Sequence, residues 1–237
     1  MERLNKYLAE SGVASRRQAD NIISEGKVKV NGQVVNTMGY MVNEQNDTVT
    51  VDGVIVKPVK KYSYIMLYKP KGCITSVKDD KDRKTVYDFL QNINIKHLVP
   101  VGRLDYDTEG MLLLTNDGSL VQKLTHPSNE IPKTYLVKVK GDMPEHKLAQ
   151  LRKGVTVDGV KYARCKVKLL EFAKDVSKLE VTIHEGKNRE IRKMFEFVDR
   201  EVTFLKRIAV GDLKLGGLAR GEFRYLHEDE IEYLKKM

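Results

Sequence analysis

Residues 99–118 read V-P-V-G-R-L-D-Y-D-T-E-G-M-L-L-L-T-N-D-G, and this stretch constrains the fold more than any other. Met111 to Leu114 is uniformly apolar but too short for a helix, so it predicts a strand buried on both faces. Asn116-Asp117-Gly118 behind it reads as a turn. In front lie Gly102-Arg103-Leu104-Asp105, then Asp107 and Glu109 at alternate positions. Asp105 is therefore expected in a loop at the mouth of a rigid buried strand, where the loop supplies access and the strand supplies position. The residues alone leave two readings open. In one, Arg103 and Asp105 form a simple ion pair beside the solvated acids Asp107 and Glu109; in the other, Asp105 is a reactive carboxylate, and ion-pair networks imitate active sites.

The 237 residues allow one large domain or a small one plus a larger one, and 41% hydrophobic content suffices for packed cores. Forty-two Lys and Arg against thirty-three Asp and Glu leave a formal charge of +9, which favours a polyanionic partner. Two cysteines, Cys73 and Cys165, exclude a disulfide scaffold and fit a reducing cytosol. His97, His126, His146, His184 and His227 are scattered, so no metal site is expected. The chain opens on Met1-Glu2-Arg3 rather than an apolar leader and has no membrane-length apolar run, so a cytoplasmic location is expected.

Leu4, Tyr7, Leu8 and Val13 are spaced for one face of a helix ended by Gly12. Ser15 with Gln18 forms a capping box for a second helix, which continues through Ala19, Ile22 and Ile23 to Gly26. Lys27 to Val30 alternates like a strand, Asn31-Gly32 predicts a two-residue hairpin, and a further hairpin spans Val49 to Val56. Arg16 and Arg17 fall in the first turn of their helix, where a cation opposes the helix dipole by ~0.3–1 kcal/mol. That points to a use outside the fold, and phosphate is the natural partner. The bland alternative is a solvated face. The first 61 residues carry nine Lys and Arg against seven Asp and Glu, so clustering rather than net charge distinguishes these cations. Lys57-Pro58-Val59-Lys60-Lys61 reads as a basic linker.

Beyond it, Tyr62 to Tyr68 reads as an alternating strand closed by Lys69-Pro70-Lys71-Gly72, and Thr85 to Leu90 as a short helix. Ser119 to Thr125 is expected to be helical, and Lys133 to Lys140 is a β-branched strand with Tyr135, Val137 and Val139 on one face. Tyr135 alone reads as a core tyrosine with a bonded hydroxyl. A helix over Met143 to Arg152 with Asp142 as cap, a hairpin from Val155 to Glu171, and a strand from Ser177 to His184 follow. Glu185 to Phe195 is expected to start the next helix, with Ile191, Met194, Phe195 and Val198 inward and Arg189, Arg192 and Lys193 near one side. Alone, it is an ordinary amphipathic helix. Gly221 to Leu226 predicts a last strand and Glu228 to Lys236 a last helix.

The segment G-R-L-D-Y-D-T-E-G-M-L-L-L-T-N-D-G resembles the catalytic motif of the pseudouridine synthases, in the branch that acts on ribosomal RNA. K-P-K-G at 69–72, K-T-Y at 133–135 and G-K-N-R-E-I-R at 186–192 match further motifs of that family, in its ribosomal large-subunit form, whose layout the small-subunit enzyme shares. Residues 3–32 resemble the small helix-rich RNA-binding module first known from a small-subunit ribosomal protein. Chain order supports an α+β class. The resemblance adds residues 1–60 as the RNA-binding module and 61–237 as a catalytic domain with a mixed, mainly antiparallel sheet and flanking helices.

It implies isomerisation of uridine to pseudouridine in ribosomal RNA, without cofactor, by a monomer acting on ribosomal RNA or an assembly intermediate. Asp105 would be the catalytic aspartate, with Asp107, Thr108 and Glu109 shaping its loop. Tyr135 would stack on the target base, Arg192 would pair with Asp105, and Arg103 would contact phosphate or fill the place of a flipped base. RNA contacts would come from Arg3, Arg16, Arg17, Lys27, Lys29, Lys187 and Arg189. Two rivals are a non-catalytic ribosome-assembly factor, which would bind RNA without turnover, and a hydrolase pairing Asp105 with Asp107 or Glu109, which would release free base or sugar.

Overall fold

The computed structural model describes residues 1–237 except 59, 60, 78, 80, 91, 92 and 94–97, so the linker expected at 57–61 falls partly outside the described residues. The described chain divides into two units, Met1–Ser63 and the residues of 64–237. No helix among the described residues is long and apolar enough to cross a membrane.

The first unit contains β1 (Glu2–Arg3), α1 (Leu4–Glu10), α2 (Arg16–Ser24), β2 (Val28–Val30), β3 (Gln33–Val34), β4 (Met41–Val42), β5 (Val49–Val51) and β6 (Val54–Val56). The capping box forms: Ser15 Oγ accepts from Gln18 N at 3.3 Å and Gln18 Oε1 accepts from Ser15 N at 3.2 Å. Leu4, Tyr7 and Leu8 of α1 pack with Ala19 and Ile23 of α2 on Val28, Val30, Val42 and Val49. Burial of each such side chain is worth roughly 1.5–3 kcal/mol. Strand order is β3-β2-β5-β6. Asn31 and Gly32 at φ 51° and 83°, and Asp52 and Gly53 at φ 47° and 81°, make both hairpin turns of the kind whose two central residues are left-handed.

The second unit contains β7 (Tyr64–Lys69), β8 (Val99–Pro100), β9 (Glu109–Thr115), α3 (Gly118–Thr125), β10 (Lys133–Lys140), α4 (Glu145–Lys153), β11 (Val155–Val157), β12 (Val160–Tyr162), β13 (Lys166–Ala173), β14 (Val176–Ile183), α5 (Glu190–Phe197), β15 (Val202–Val210), β16 (Leu213–Lys214), β17 (Phe223–Tyr225) and α6 (Glu228–Lys236). Its main sheet runs β13-β14-β10-β15-β9-β7-β17, with β16 on β15 and β8 on β9. Every pairing in it is antiparallel except β15 with β9. Every residue of β7 and of β9 is buried. The predicted alternation of 62–68 gives way to a strand covered on both faces.

Four further expectations about these elements differ from the structure. Asp142 does not cap α4. Pro144, at φ −67° and ψ 156°, holds the N-cap position, and the Asp142 carboxylate takes Arg200 Nη2 at 2.8 Å. The hairpin expected over 155–171 stops at Tyr162, because Cys165 turns into the core, its thiol donating to Leu151 O at 3.2 Å, before β13 joins the main sheet. The helix expected from 185 begins at Glu190, whose carboxylate accepts from Lys187 N at 2.9 Å and so holds the preceding segment as a loop. Asp117 is the N-cap of α3 rather than the centre of a free turn.

Two contacts fix the ends of β9, Gly110 at its start and Asp117 just past its end. Gly110, at φ 110°, faces Arg207 across the parallel pair, and a Cβ there would lie 2.2 Å from Arg207 O and 2.6 Å from Arg207 N. Asp117 accepts from Ser119 N and Leu120 N, both at 3.1 Å, and from Tyr64 Oη at 2.9 Å. Burial opposes its charge, but these hydrogen bonds outweigh it and hold the carboxyl below its ordinary value of 3.8.

Gly110→Ala is expected to lower stability by ~3 kcal/mol or more in a urea titration, whereas Gly118→Ala, with open space around its Cβ position, shifts it by no more than about 1 kcal/mol. A group whose folded pKa is depressed stabilises above its unfolded pKa and loses that contribution as pH falls. Asp117→Asn keeps a capping oxygen but no charge, so it is expected to cost ~1–2 kcal/mol at pH 7. The gap to wild type closes as pH drops below about 4, and a gap that stayed constant from pH 7 to 3 would assign the loss to packing instead.

Candidate active site

The loop of residues 102–108 enters β9 with its backbone fastened on both sides of Asp105. Lys69, the last residue of β7, is fully buried. Its Nζ donates to Pro70 O at 3.0 Å, Asp105 O at 3.0 Å and Thr108 O at 2.8 Å. Burial pushes the Lys69 pKa down, against the opposing pull of Asp105, Asp107 and Glu109. Thr75 Oγ1 donates to Leu104 O at 2.9 Å and accepts from Leu104 N at 3.2 Å, and Gly72 N donates to Tyr106 O at 2.9 Å. The main chain at 104–108 is thus held by donors from the end of β7 and from the segment that follows it.

The three acids of this loop have separate fates. Glu109 is buried and accepts from Tyr68 Oη at 2.6 Å and pairs with Arg220 at 3.1 Å. Asp107 pairs with Arg192 Nη2 at 2.9 Å and faces Arg189 Nη1 at 3.5 Å. The half-buried Asp105 carboxylate accepts no hydrogen bond and forms no ion pair among the described residues. Arg103 is exposed and makes no ion pair with it.

Arg192 therefore differs from its expected role. The resemblance pairs it with Asp105, whereas here its carboxylate partner is Asp107, two residues on. Arg192 Nη1 donates to Val202 O at 2.9 Å and Nη2 also reaches Asp107 O at 3.3 Å, which directs the guanidinium at that residue. Burial lowers the Arg192 pKa and Asp107 opposes this most strongly, with Asp105 a smaller attraction.

Asp105 borders a cavity of about 260 Å³ shared with Arg103, Tyr135, Ile183, Ile191 and Leu205, with Lys187 and Arg189 at its margin. Tyr135 comes from β10, where it pairs with Val181 on one side and Arg207 on the other. Its ring is buried, yet its hydroxyl bonds to nothing among the described residues. A core tyrosine would have its hydroxyl satisfied. The arrangement is one carboxylate, unpaired among the described residues, on a fixed backbone, beside an aromatic ring, over a recess that Ile183, Ile191 and Leu205 line and charged side chains rim. It suits a small planar ring, with the carboxylate placed as nucleophile or proton carrier.

Lys187 and Arg189 lie on the loop before α5 rather than on the helix; Lys187 pairs with Glu185 at 2.7 Å and donates to Lys161 O at 2.7 Å. In the first unit, Arg3, Arg16, Arg17, Lys27 and Lys29 are all exposed, and Lys27 pairs with Glu25 at 2.6 Å. Among the described residues no group of His, Cys, Asp and Glu could hold a metal ion. Sequence reasoning missed Lys69 and Arg207. Both are buried cations; Lys69 closes a strand of otherwise apolar and aromatic residues, a mismatch that marks it, whereas Arg207 follows Lys206 and its spacing alone does not tell the two apart.

Residues 63–197 match the RNA pseudouridylate synthase family, and residues 2–49 match the S4 domain. The chain is 47% identical to the ribosomal large subunit pseudouridine synthase B of Bacillus subtilis, over 100% of this chain and 97% of that one. It is 40% identical to an uncharacterized RNA pseudouridine synthase of Aquifex aeolicus, over 99% and 94%. A crystal structure of a pseudouridylate synthase superposes with a TM-score of 0.70 at 32% identity, covering 99% of this chain and 100% of that one. With more than half its length in the family match and relatives of this identity along its whole length, the chain belongs to the RNA pseudouridylate synthases.

Proposed function

We propose that the chain converts uridine to pseudouridine in large-subunit ribosomal RNA, with Asp105 as the catalytic residue. The observation that carries this is the unpaired Asp105 carboxylate, held on a fastened backbone at the edge of the cavity that Tyr135 walls. The name of the Bacillus subtilis relative supports the choice of large-subunit RNA. The two buried, unpaired cysteines suit a reducing compartment, and we place the enzyme in the cytoplasm.

The reaction breaks the bond from uracil N1 to ribose C1′, turns the ring and forms a bond from C5 to C1′. C5 loses its proton and N1 gains one, so no oxidant, reductant or water is consumed. Asp105 acts either as nucleophile or as proton carrier and charge stabiliser. Tyr135 supplies the face on which the detached ring stays stacked. A base inside folded RNA is first extruded at a cost of a few kcal/mol. Phosphate contacts by Arg3, Arg16, Arg17, Lys27 and Lys29 of the first unit, and by Arg103 and Arg189 at the cavity, offset that cost. Arg192 supports the loop through Asp107. Paired-carboxylate hydrolysis is disfavoured, because Glu109 and Asp107 are both engaged with arginines.

Ribosomal RNA tritiated at uridine C5 tests the assignment. Wild type is expected to release tritium and Asp105→Asn to bind the RNA equally and release none. Release by both would remove Asp105 from the chemistry, and release by neither with binding intact would favour the assembly-factor reading. Tyr135→Ala is expected to lose about 5- to 150-fold in kcat/KM, the range for one stacked base, with circular dichroism confirming the fold.

A further inference from the structure

The sheet face that carries Tyr135 also carries a second cavity. Lys133 and Tyr135 are two apart on β10, and Arg207 lies directly across from Tyr135 on β15, so the three side chains project to one face. They border a cavity of about 230 Å³ whose far wall is apolar, from Val101, Leu113 and Leu124. This cavity shares Arg103, Tyr135 and Lys187 with the Asp105 cavity, so Tyr135 stands between the two.

Arg207 is 4% exposed. Its Nε donates to Met111 O at 2.7 Å, and among the described residues no carboxylate pairs with it. Lys133 is half-buried, donates to Ile131 O at 2.9 Å and has no ion pair either. Glu185 also borders the cavity, but Lys187 neutralises it at 2.7 Å. Burial first, and then the charge of Arg207, lower the Lys133 pKa, while Glu190 opposes them more weakly. Two neighbouring cations, one nearly sealed from water and neither with a counter-ion, are costly unless an anion joins them.

We propose that this cavity is a phosphate subsite in which Arg207 and Lys133 hold a phosphodiester of the RNA strand, next to the uridine in the Asp105 cavity. Arginine offers a two-pronged donor to phosphate oxygens and lysine a point charge. The placement beside the uridine rests on the function proposed above; the anion site itself does not. Tyr135 then separates the base on one side from the backbone on the other, which fixes the strand while the ring turns.

Two measurements test this without requiring turnover. In the first, inorganic phosphate is titrated at constant ionic strength and the thermal midpoint is followed. Wild type is expected to gain stability over the chloride control, with the gain reduced in Arg207→Gln and in Lys133→Met. In the second, binding of a transcribed large-subunit ribosomal RNA fragment is measured against salt. Each variant is expected to flatten the slope of log K against log salt by about 0.7–0.9, the share of one phosphate. Arg207→Lys is expected to restore most of the slope.

A variant that alters the phosphate response but leaves the RNA slope unchanged would make this a free-phosphate site and overturn the RNA assignment. Unchanged phosphate response and slope in folded variants would overturn the subsite altogether. If Arg207→Gln does not fold, the half-exposed Lys133 decides by the same two readouts. Loss of slope with no tritium release by wild type would keep the subsite while rejecting the reaction.

Discussion

The ammonium group of Lys69 is the contact on which the rest of the site depends. A lysine sealed from water is expensive, and its three carbonyl partners are what make the position tolerable. Two of those carbonyls flank the 105–108 segment, so the bonds that satisfy Lys69 are the same bonds that fix the loop. The fixing acts on the backbone alone. Among the described residues the Asp105 side chain is left without a partner, while the acids two and four residues on are bound by Arg192 and Arg220. Acids spaced alternately in one short loop thus end in different chemical states because different strands and helices approach each of them.

The junction of β15 with β9 brings the remaining parts together. It is the parallel pairing in the main sheet, and it is close enough at Gly110 that no side chain fits. Across it, Arg207 reaches Met111 O, and on the other side of β15 stands Tyr135. The loop before α5 closes the same region, held by the bond between Lys187 N and the Glu190 carboxylate. Residues from four distant stretches of chain therefore share two adjoining cavities. One exposes a free carboxylate and the other a pair of uncompensated cations, a division that matches a nucleotide, with its neutral base and charged backbone.

Local chemistry was legible in the sequence and long-range pairing was not. The Asn31-Gly32 and Asp52-Gly53 turns, the Ser15–Gln18 box, the buried β9 and the bounds of α6 follow from neighbours within a few residues. The start of α4 was misplaced because Arg200, 58 residues away, takes the carboxylate of Asp142. The partner of Arg192 was misplaced for the same reason: Asp107 lies 85 residues from it, and spacing along the chain cannot choose between acids two residues apart. Lys69 reads only as the end of a strand, and Arg207 carries no local signal of burial, until the sheet closes over them. Tyr135 was ambiguous because its strand pattern reports only that the ring is inward, and not that the ring borders a cavity with its hydroxyl unbonded among the described residues.

The most direct test of this account is the rate of tritium release by Lys69→Met under saturating RNA, with circular dichroism and RNA binding measured on the same sample. Methionine fills similar volume without a donor, so the fold and RNA affinity are expected to persist while kcat falls by at least about tenfold, the equivalent of 1.4 kcal/mol in the barrier. A folded Lys69→Met that turns over at the wild-type rate would show that the buried ammonium does not position Asp105, and the account would fail at its base.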